Sequence, residues 1–433
     1  MSCPTFAPEV CDLFIDSLAQ YPVDKSQREA LRTCSLVSRD FAHPARQHIF
    51  RYVYAGREGR SGKSGVKMLR TLHKLVTWMP EGKGGISNIA RYVKKVDCGY
   101  DQRPRDREGI ERWEEQVSLI LQALQGTDHV ISTLDVLFHE SWTNVGPIFK
   151  RALRDLLISP YLENLILRLL WDIPRSLFLG SHLRHISLDF CSVDPRICGP
   201  SLDAFYPQLE SLEVDGSYEL LLEGKIVENR RLMSQSALSS LRKLRYNIGD
   251  EGEAFTVLSR VQSTLEFLEI RFEDGVGFLE PSFLNLAHME KLTRLRICDE
   301  SPRKFPSFSS IQNTGLLEGN LLDCIQVPNT LRTFELDFEM HAETPTTDAL
   351  VDDIQAPPSE TNQWSRLNQF FSSPKFAKVE KVGIAIRLTV NMDPQDRAKV
   401  FVEVESLIKT ALPYFSTPNV ACALSVVVGS WYD

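Results

Sequence analysis

The sequence predicts an α/β repeat fold, with a short helical segment at the amino terminus and a stack of strand-bearing repeats behind it. Three observations lead there. The pattern h-x-x-h-x-h, with h apolar, recurs ten times between Val93 and Val379, and self-similarity at intervals of a few tens of residues marks a repeat architecture. Between Phe6 and Val53 the apolar residues recur instead at helical spacing. At 433 residues the chain also exceeds what one hydrophobic core usually supports, which leaves several domains or a quasi-linear stack.

In chain order, the first expected helix carries Val10, Leu13, Phe14 and Leu18 on one side and Glu9, Asp12 and Asp16 on the other. Pro8 and Glu9 suit its first turn, where a missing N–H costs nothing and a negative charge meets the positive helix end. Tyr21-Pro22 closes it. Ser26 is an N-cap candidate for a second helix through Ala30 and Leu31, and Ser38 for a third carrying Phe41, Ala45 and Phe50. Three such helices in residues 1–54 bury too little surface to stand comfortably alone, so an apolar face is expected to pack on a partner or on the rest of the chain.

The residues Ala7-Pro8-Glu9-Val10, then Asp12, Leu13 and Ile15, then the run Cys34 to Phe41, then Ala45-Arg46 and His48-Ile49-Phe50-Arg51 resemble the F-box-like module abundant in mushroom-forming fungi. That family usually opens on Leu-Pro-x-Glu and follows its serine-arginine pair with a tryptophan; here Phe6-Ala7-Pro8-Glu9 and Phe41 stand in those places. The resemblance implies a docking surface for a Skp-type adaptor of a cullin-RING ubiquitin ligase. On that basis Phe6, Pro8, Val10, Ile15 and Leu18 lie on or near the adaptor face, with Leu31, Val37 and Phe41 nearby.

Residues 55–90 are expected to form a flexible loop and a connecting helix. The loop at 56–64 comes close to a nucleotide-binding P-loop, since Gly62-Lys63-Ser64 follows an apolar run and precedes a helical pattern. A P-loop has the form G-x-x-x-x-G-K-[ST], because a loop of fixed length must aim its N–H groups at the phosphates. The required first glycine falls on Arg57, with Gly56 one residue too far. Leu134-Asp135-Val136 is the nearest approach to a magnesium-binding strand. The match is therefore taken as a solvated connection.

Residues 91–433 are read as a divergent leucine-rich-repeat-like solenoid. The copies begin at Val93, Ile131, Leu162, Leu183, Leu209, Leu241, Leu265, Leu292, Leu331 and Val379, and those from Leu162 to Leu292 are 21 to 32 residues apart. Each ends in apolar/polar alternation, which makes a short strand with one buried face. Helix-like stretches such as Ser236 to Leu241 and Phe283 to His288 lie between copies. A strand plus a helix or turn per repeat stacks into a curved array. Its exposed strand positions are candidates for holding a target protein: His185, Ser187 and Asp189, Ser211 and Glu213, Lys243 and Arg245, Glu269 and Arg271, and Arg294 and Arg296. Residues 341–363, rich in Pro, Thr and acids without periodicity, read as a mobile insertion. A helix at about Pro394 to Ala411 and a buried final strand at Ala421 to Gly429 would cap the stack.

The net charge of −8 does not favour a nucleic-acid partner. Nine scattered cysteines without a C-x-x-C pair suit a reducing compartment rather than a disulfide scaffold. There is no signal-peptide pattern at the amino terminus and no apolar run of membrane-spanning length, so an intracellular protein, cytoplasmic or nuclear, is expected. His182 and His185 form H-x-x-H around a strand position with no third ligand nearby, and the zinc-protease and nucleophile-elbow motifs are absent from the sequence. No catalytic residue, metal or cofactor is expected. The function expected is that of a non-catalytic substrate receptor in a Skp/cullin/F-box ligase, acting by proximity. The alternatives are an adaptor-independent scaffold whose helices only cap the solenoid and, behind it, a nucleotide hydrolase.

Overall fold

The computed structural model describes residues 7–19, 25–56, 62–77, 89–100, 107–125, 131–192, 207–215, 238–248, 258, 261–272, 285–299, 304–305, 325, 327–342, 363–390, 394–417 and 422–430. The chain divides into two compact units, Met1–Gln208 and Leu209–Asp433. Each is an α/β arrangement built on parallel strands.

The first unit opens with three helices, α1 (Pro8–Leu18), α2 (Lys25–Val37) and α3 (Arg39–Phe50). Pro8 occupies the first turn of α1, as its fixed φ allows. Ser38 caps α3, its hydroxyl accepting from the Phe41 N–H. Strand β1 (Tyr52–Tyr54) follows, then α4 (Gly62–Thr77), β2 (Lys95–Tyr100), α5 (Arg107–Ala123), β3 (Thr133–Ser141), α6 (Pro147–Leu157), β4 (Asn164–Trp171) and β5 (His185–Asp189). The five strands pair in chain order, all parallel. Buried residues of α5 and α6, with the strands, supply an aromatic core: Trp113 lies 5.5 Å from Phe138 and 5.3 Å from Tyr100, and Phe138 stacks on Phe149 at 5.7 Å.

In the second unit β6 (Ser211–Asp215), β7 (Lys243–Ile248), β8 (Phe267–Phe272), β9 (Arg294–Asp299), β11 (Thr333–Ala342), β12 (Lys381–Val390) and β13 (Ala423–Ser430) pair successively in parallel; β10 (Lys304–Phe305) pairs with the end of β11. Helix α7 (Gln363–Ser372) precedes β12 and α8 (Pro394–Ala411) precedes β13. Phe371 and Phe376 pack edge-on against Phe334 at 5.8 and 5.4 Å.

Every one of the ten motif copies carries a strand that starts at its third residue, as at Lys95, His185 and Arg294. All three apolar positions of every copy are buried; Leu292, Leu295 and Ile297 are typical. The backbone repeats as well. The Arg242 carbonyl accepts from the Glu266 and Phe267 N–H groups, the Glu266 carbonyl from Thr293 and Arg294, and the Thr293 carbonyl from Arg332 and Thr333. One carbonyl receiving two donors from the next copy fixes the register without help from side chains.

Several expectations are corrected. Asn285 to His288, part of a stretch expected to be helical, forms a bridge and turns. The last strand is an edge strand rather than a buried one: Val426 is enclosed, Leu424 and Val428 are half-buried and Val427 is exposed, because β13 has a described neighbour on one side only. Of the insertion expected at 341–363, His341 and Ala342 complete β11 and Gln363 begins α7; its remainder lies outside the described residues.

Candidate functional site

The helical segment separates its apolar residues into two sets. Cys11, Ile15 and Leu18 share one face of α1, and Ile15 is fully enclosed with Leu31 of α2 and Ala45 of α3. Leu18, Ala19, Cys34, Phe41 and Ile49 pack around that core. The other set faces outward: Val10, Leu13 and Phe14 on α1, at i, i+3 and i+4, and Leu36 and Val37 at the end of α2. The Phe14 ring meets Phe41 edge-on at 5.9 Å, which brings the α1 stripe beside the α2–α3 turn. Leu36 is 87% exposed and Leu13 and Val37 are each 70% exposed. Burying such a side chain is worth roughly 1.5–3 kcal/mol, and a grouping of them is what a protein-docking surface presents.

The residues expected at an adaptor face are thus divided. Val10 and Val37 are outward; Ile15 and Leu31 lie in the core, beyond a partner's reach in the folded state; Leu18 and Phe41 are half-buried against that core. Pro8 starts α1, and Phe6 lies outside the described residues. Leu13, Phe14 and Leu36 belong to the outward set, and helical periodicity alone does not distinguish them from core positions.

The strand faces bring the remaining candidates together. On β5, His185, Ser187 and Asp189 are half-buried, alternating with buried Ile186 and Leu188. Nearby, the buried Asp135 carboxylate accepts from Arg168 Nη2 at 2.9 Å and lies 3.7 Å from Lys95 Nζ. Burial raises its pKa against the opposing pull of Arg168.

In the second unit the register aligns Glu213, Arg245, Glu269, Arg296 and Glu335 in one row across β6, β7, β8, β9 and β11. The charges alternate and are paired. Glu269, with a fully buried side chain, sits among three arginines: Arg271 at 2.8 Å, Arg245 at 3.2 Å and Arg296 at 3.8 Å. Arg271 also reaches Asp215 at 3.4 Å, Arg296 reaches Asp337 at 2.5 Å, and Arg294 forks onto Glu335 at 2.8 and 2.9 Å. Ser211 and Lys243 lie one row away, at the strand starts. Charged candidates expected to face a target are therefore committed largely to one another.

Other chemistry is sparse among the described residues. Gly62, Lys63 and Ser64 form the first turn of α4, and residues 57–61 lie outside the described set. Asp135 is held by Lys95 and Arg168, a lysine and an arginine on its own sheet. Burial raises the thiol pKa of Cys98, and raises those of Cys191 and Cys298 to about 12, so these are packed hydrophobes rather than nucleophiles. Among the described residues no group of three or more His, Cys, Asp or Glu is placed to hold a metal, and no helix is long and apolar enough to cross a membrane. No protein-family model matches the chain, and no curated protein matches it.

Proposed function

We propose that the chain is the substrate-recognition subunit of a Skp/cullin/F-box-type ubiquitin ligase. In this reading residues 1–54 are an F-box-like module that docks a Skp-type adaptor, and the parallel strands belong to a divergent leucine-rich-repeat-like array that holds a target. The observation that carries the reading is the outward stripe Val10, Leu13, Phe14, Leu36 and Val37, in the segment whose residues resemble the F-box-like module. The helices have a core of their own beneath that stripe, so a partner can cover it without rearranging them. The receptor adds no bond-making group; it raises the local concentration of target beside the ubiquitin-loaded enzyme.

The test is co-purification of the full chain with a fungal Skp-type adaptor, beside Leu13→Asp plus Leu36→Asp. Both positions are exposed, so the variant should fold, while two carboxylates buried at a docked interface cost several kcal/mol. Loss of binding in the folded variant supports the reading, and absence of binding by the wild type refutes it. A second reading, an adaptor-independent scaffold whose helices cap the array, is favoured by one contact: His43 of α3 bonds Tyr92, just before β2, at 2.9 Å with the rings 5.4 Å apart. Under it, wild type and variant would fail alike to bind the adaptor.

A further inference from the structure

In a chain of net charge −8 one cleft of the first unit is lined, among the described residues, by six basic ones, Arg28, Arg32, His48, Arg51, Lys94 and Lys95, and by no acidic one. It holds about 740 Å³, between α2 and α3 on one side and the starts of β1, β2 and β3 on the other. Two backbone bonds fix this corner: the Arg51 carbonyl accepts from the Lys94 and Lys95 N–H groups, at 2.9 Å each. Two of the six are engaged, His48 with Asp16 at 2.8 Å and Lys95 with Asp135 at 3.7 Å. Arg28, Arg32, Arg51 and Lys94 have no ion-pair partner among the described residues. Like charges gathered without counter-charge repel one another, and an anion relieves that repulsion. Ala19 and Ile49 give the cleft an apolar floor, and Ser132 and Thr133 add hydroxyls.

We propose that this cleft binds a phosphorylated peptide segment of another protein. Guanidinium forks match the oxygens of a phosphate bidentately, and one phosphate brings close to two charges into a small volume. The apolar floor fits neighbouring side chains of a peptide, which a nucleic-acid backbone lacks, and the surrounding chain is acidic, which disfavours an extended polyanion. The cleft shares no lining residue with the outward stripe of α1 and α2.

The experiment is fluorescence anisotropy of the full chain with a labelled peptide carrying adjacent phosphoserines flanked by leucines. Controls are the same peptide with serine, the same with glutamate, and an oligouridine of equal charge. Binding of the phosphopeptide is expected to exceed that of the serine peptide by at least about tenfold, to weaken with added salt, and to fall at least about tenfold in Arg32→Glu plus Arg51→Glu. Arg28→Gln plus Arg32→Gln, which places no new charge beside the helix ends, should show a loss in the same direction, with circular dichroism confirming the fold. Equal binding of phosphoserine and serine peptides, no binding at all, or full binding by both folded variants overturns the site. Oligouridine or the glutamate peptide matching the phosphopeptide overturns the assignment of its ligand.

Discussion

Arg294 and Arg296 stand two residues apart on β9, yet their removal should differ sharply. Arg296 lies between two carboxylates whose side chains are 0% and 3% exposed, Glu269 and Asp337, and reaches the latter at 2.5 Å. Arg296→Ala removes a cation from both. Glu269 keeps Arg271 and Arg245, so the loss falls chiefly on Asp337. Breaking a buried pair costs about 3–5 kcal/mol and a charged hydrogen bond about 1.5–3; since Arg296 is itself 31% exposed, the second, lower range applies. Arg294 is 49% exposed, forks onto Glu335 and lies over Phe267 at 5.1 Å; its removal should cost no more than about 1 kcal/mol. Urea unfolding of the two variants, with hydrogen exchange read at the β8, β9 and β11 amides, measures the difference. Equal losses, or a loss below about 1 kcal/mol for Arg296→Ala, would refute the ladder as a structural element. Charge reversal at both positions would therefore perturb folding before it reports on target capture.

Three further outcomes follow from the same geometry. Ile15→Ala should destabilise the helical segment by about 2–5 kcal/mol and Leu13→Ala by no more than about 0.5, read by thermal melting; similar losses would contradict the division into core and outward sets. Gly146 donates its N–H to both Glu114 oxygens at 3.0 Å, and a Cβ there would meet Oε2 at 2.1 Å. Gly146→Ala should thus displace the carboxylate from the start of α6 and cost about 1–3 kcal/mol, while an unchanged melting temperature would mean the carboxylate moves freely. Burial raises the pKa of both Glu114 and Asp135, so their contribution to stability is present below the ordinary carboxylate range and is lost as pH rises through the folded values. Glu114→Gln should therefore gain on the wild type as pH increases from about 4 to 7; a stability difference independent of pH would exclude the effect.

The parallel α/β arrangement was legible because each copy must bury three apolar residues, and a requirement repeated ten times outlasts the divergence between copies. The charged ladder was not. Alternation marks Glu269 as outward-facing, and it does lie on the polar face, but only the pairing of β7, β8 and β9 surrounds it with arginines drawn from three strands. On α1 the apolar stripe is wider than the core it feeds, so spacing alone could not separate Ile15 from Leu13; the packing of α2 and α3 decides. The basic cleft escaped for a similar reason, since Arg28 and Lys94 are distant in sequence and meet only where β1 pairs with β2.

The central claim, that the outward helical stripe is an adaptor surface, is tested most directly by hydrogen–deuterium exchange of the full chain with and without a Skp-type adaptor. Protection is expected at 8–18 and at 36–41, with the amides of β6 to β13 unchanged. Protection confined to the strands, or none in any segment, would contradict it.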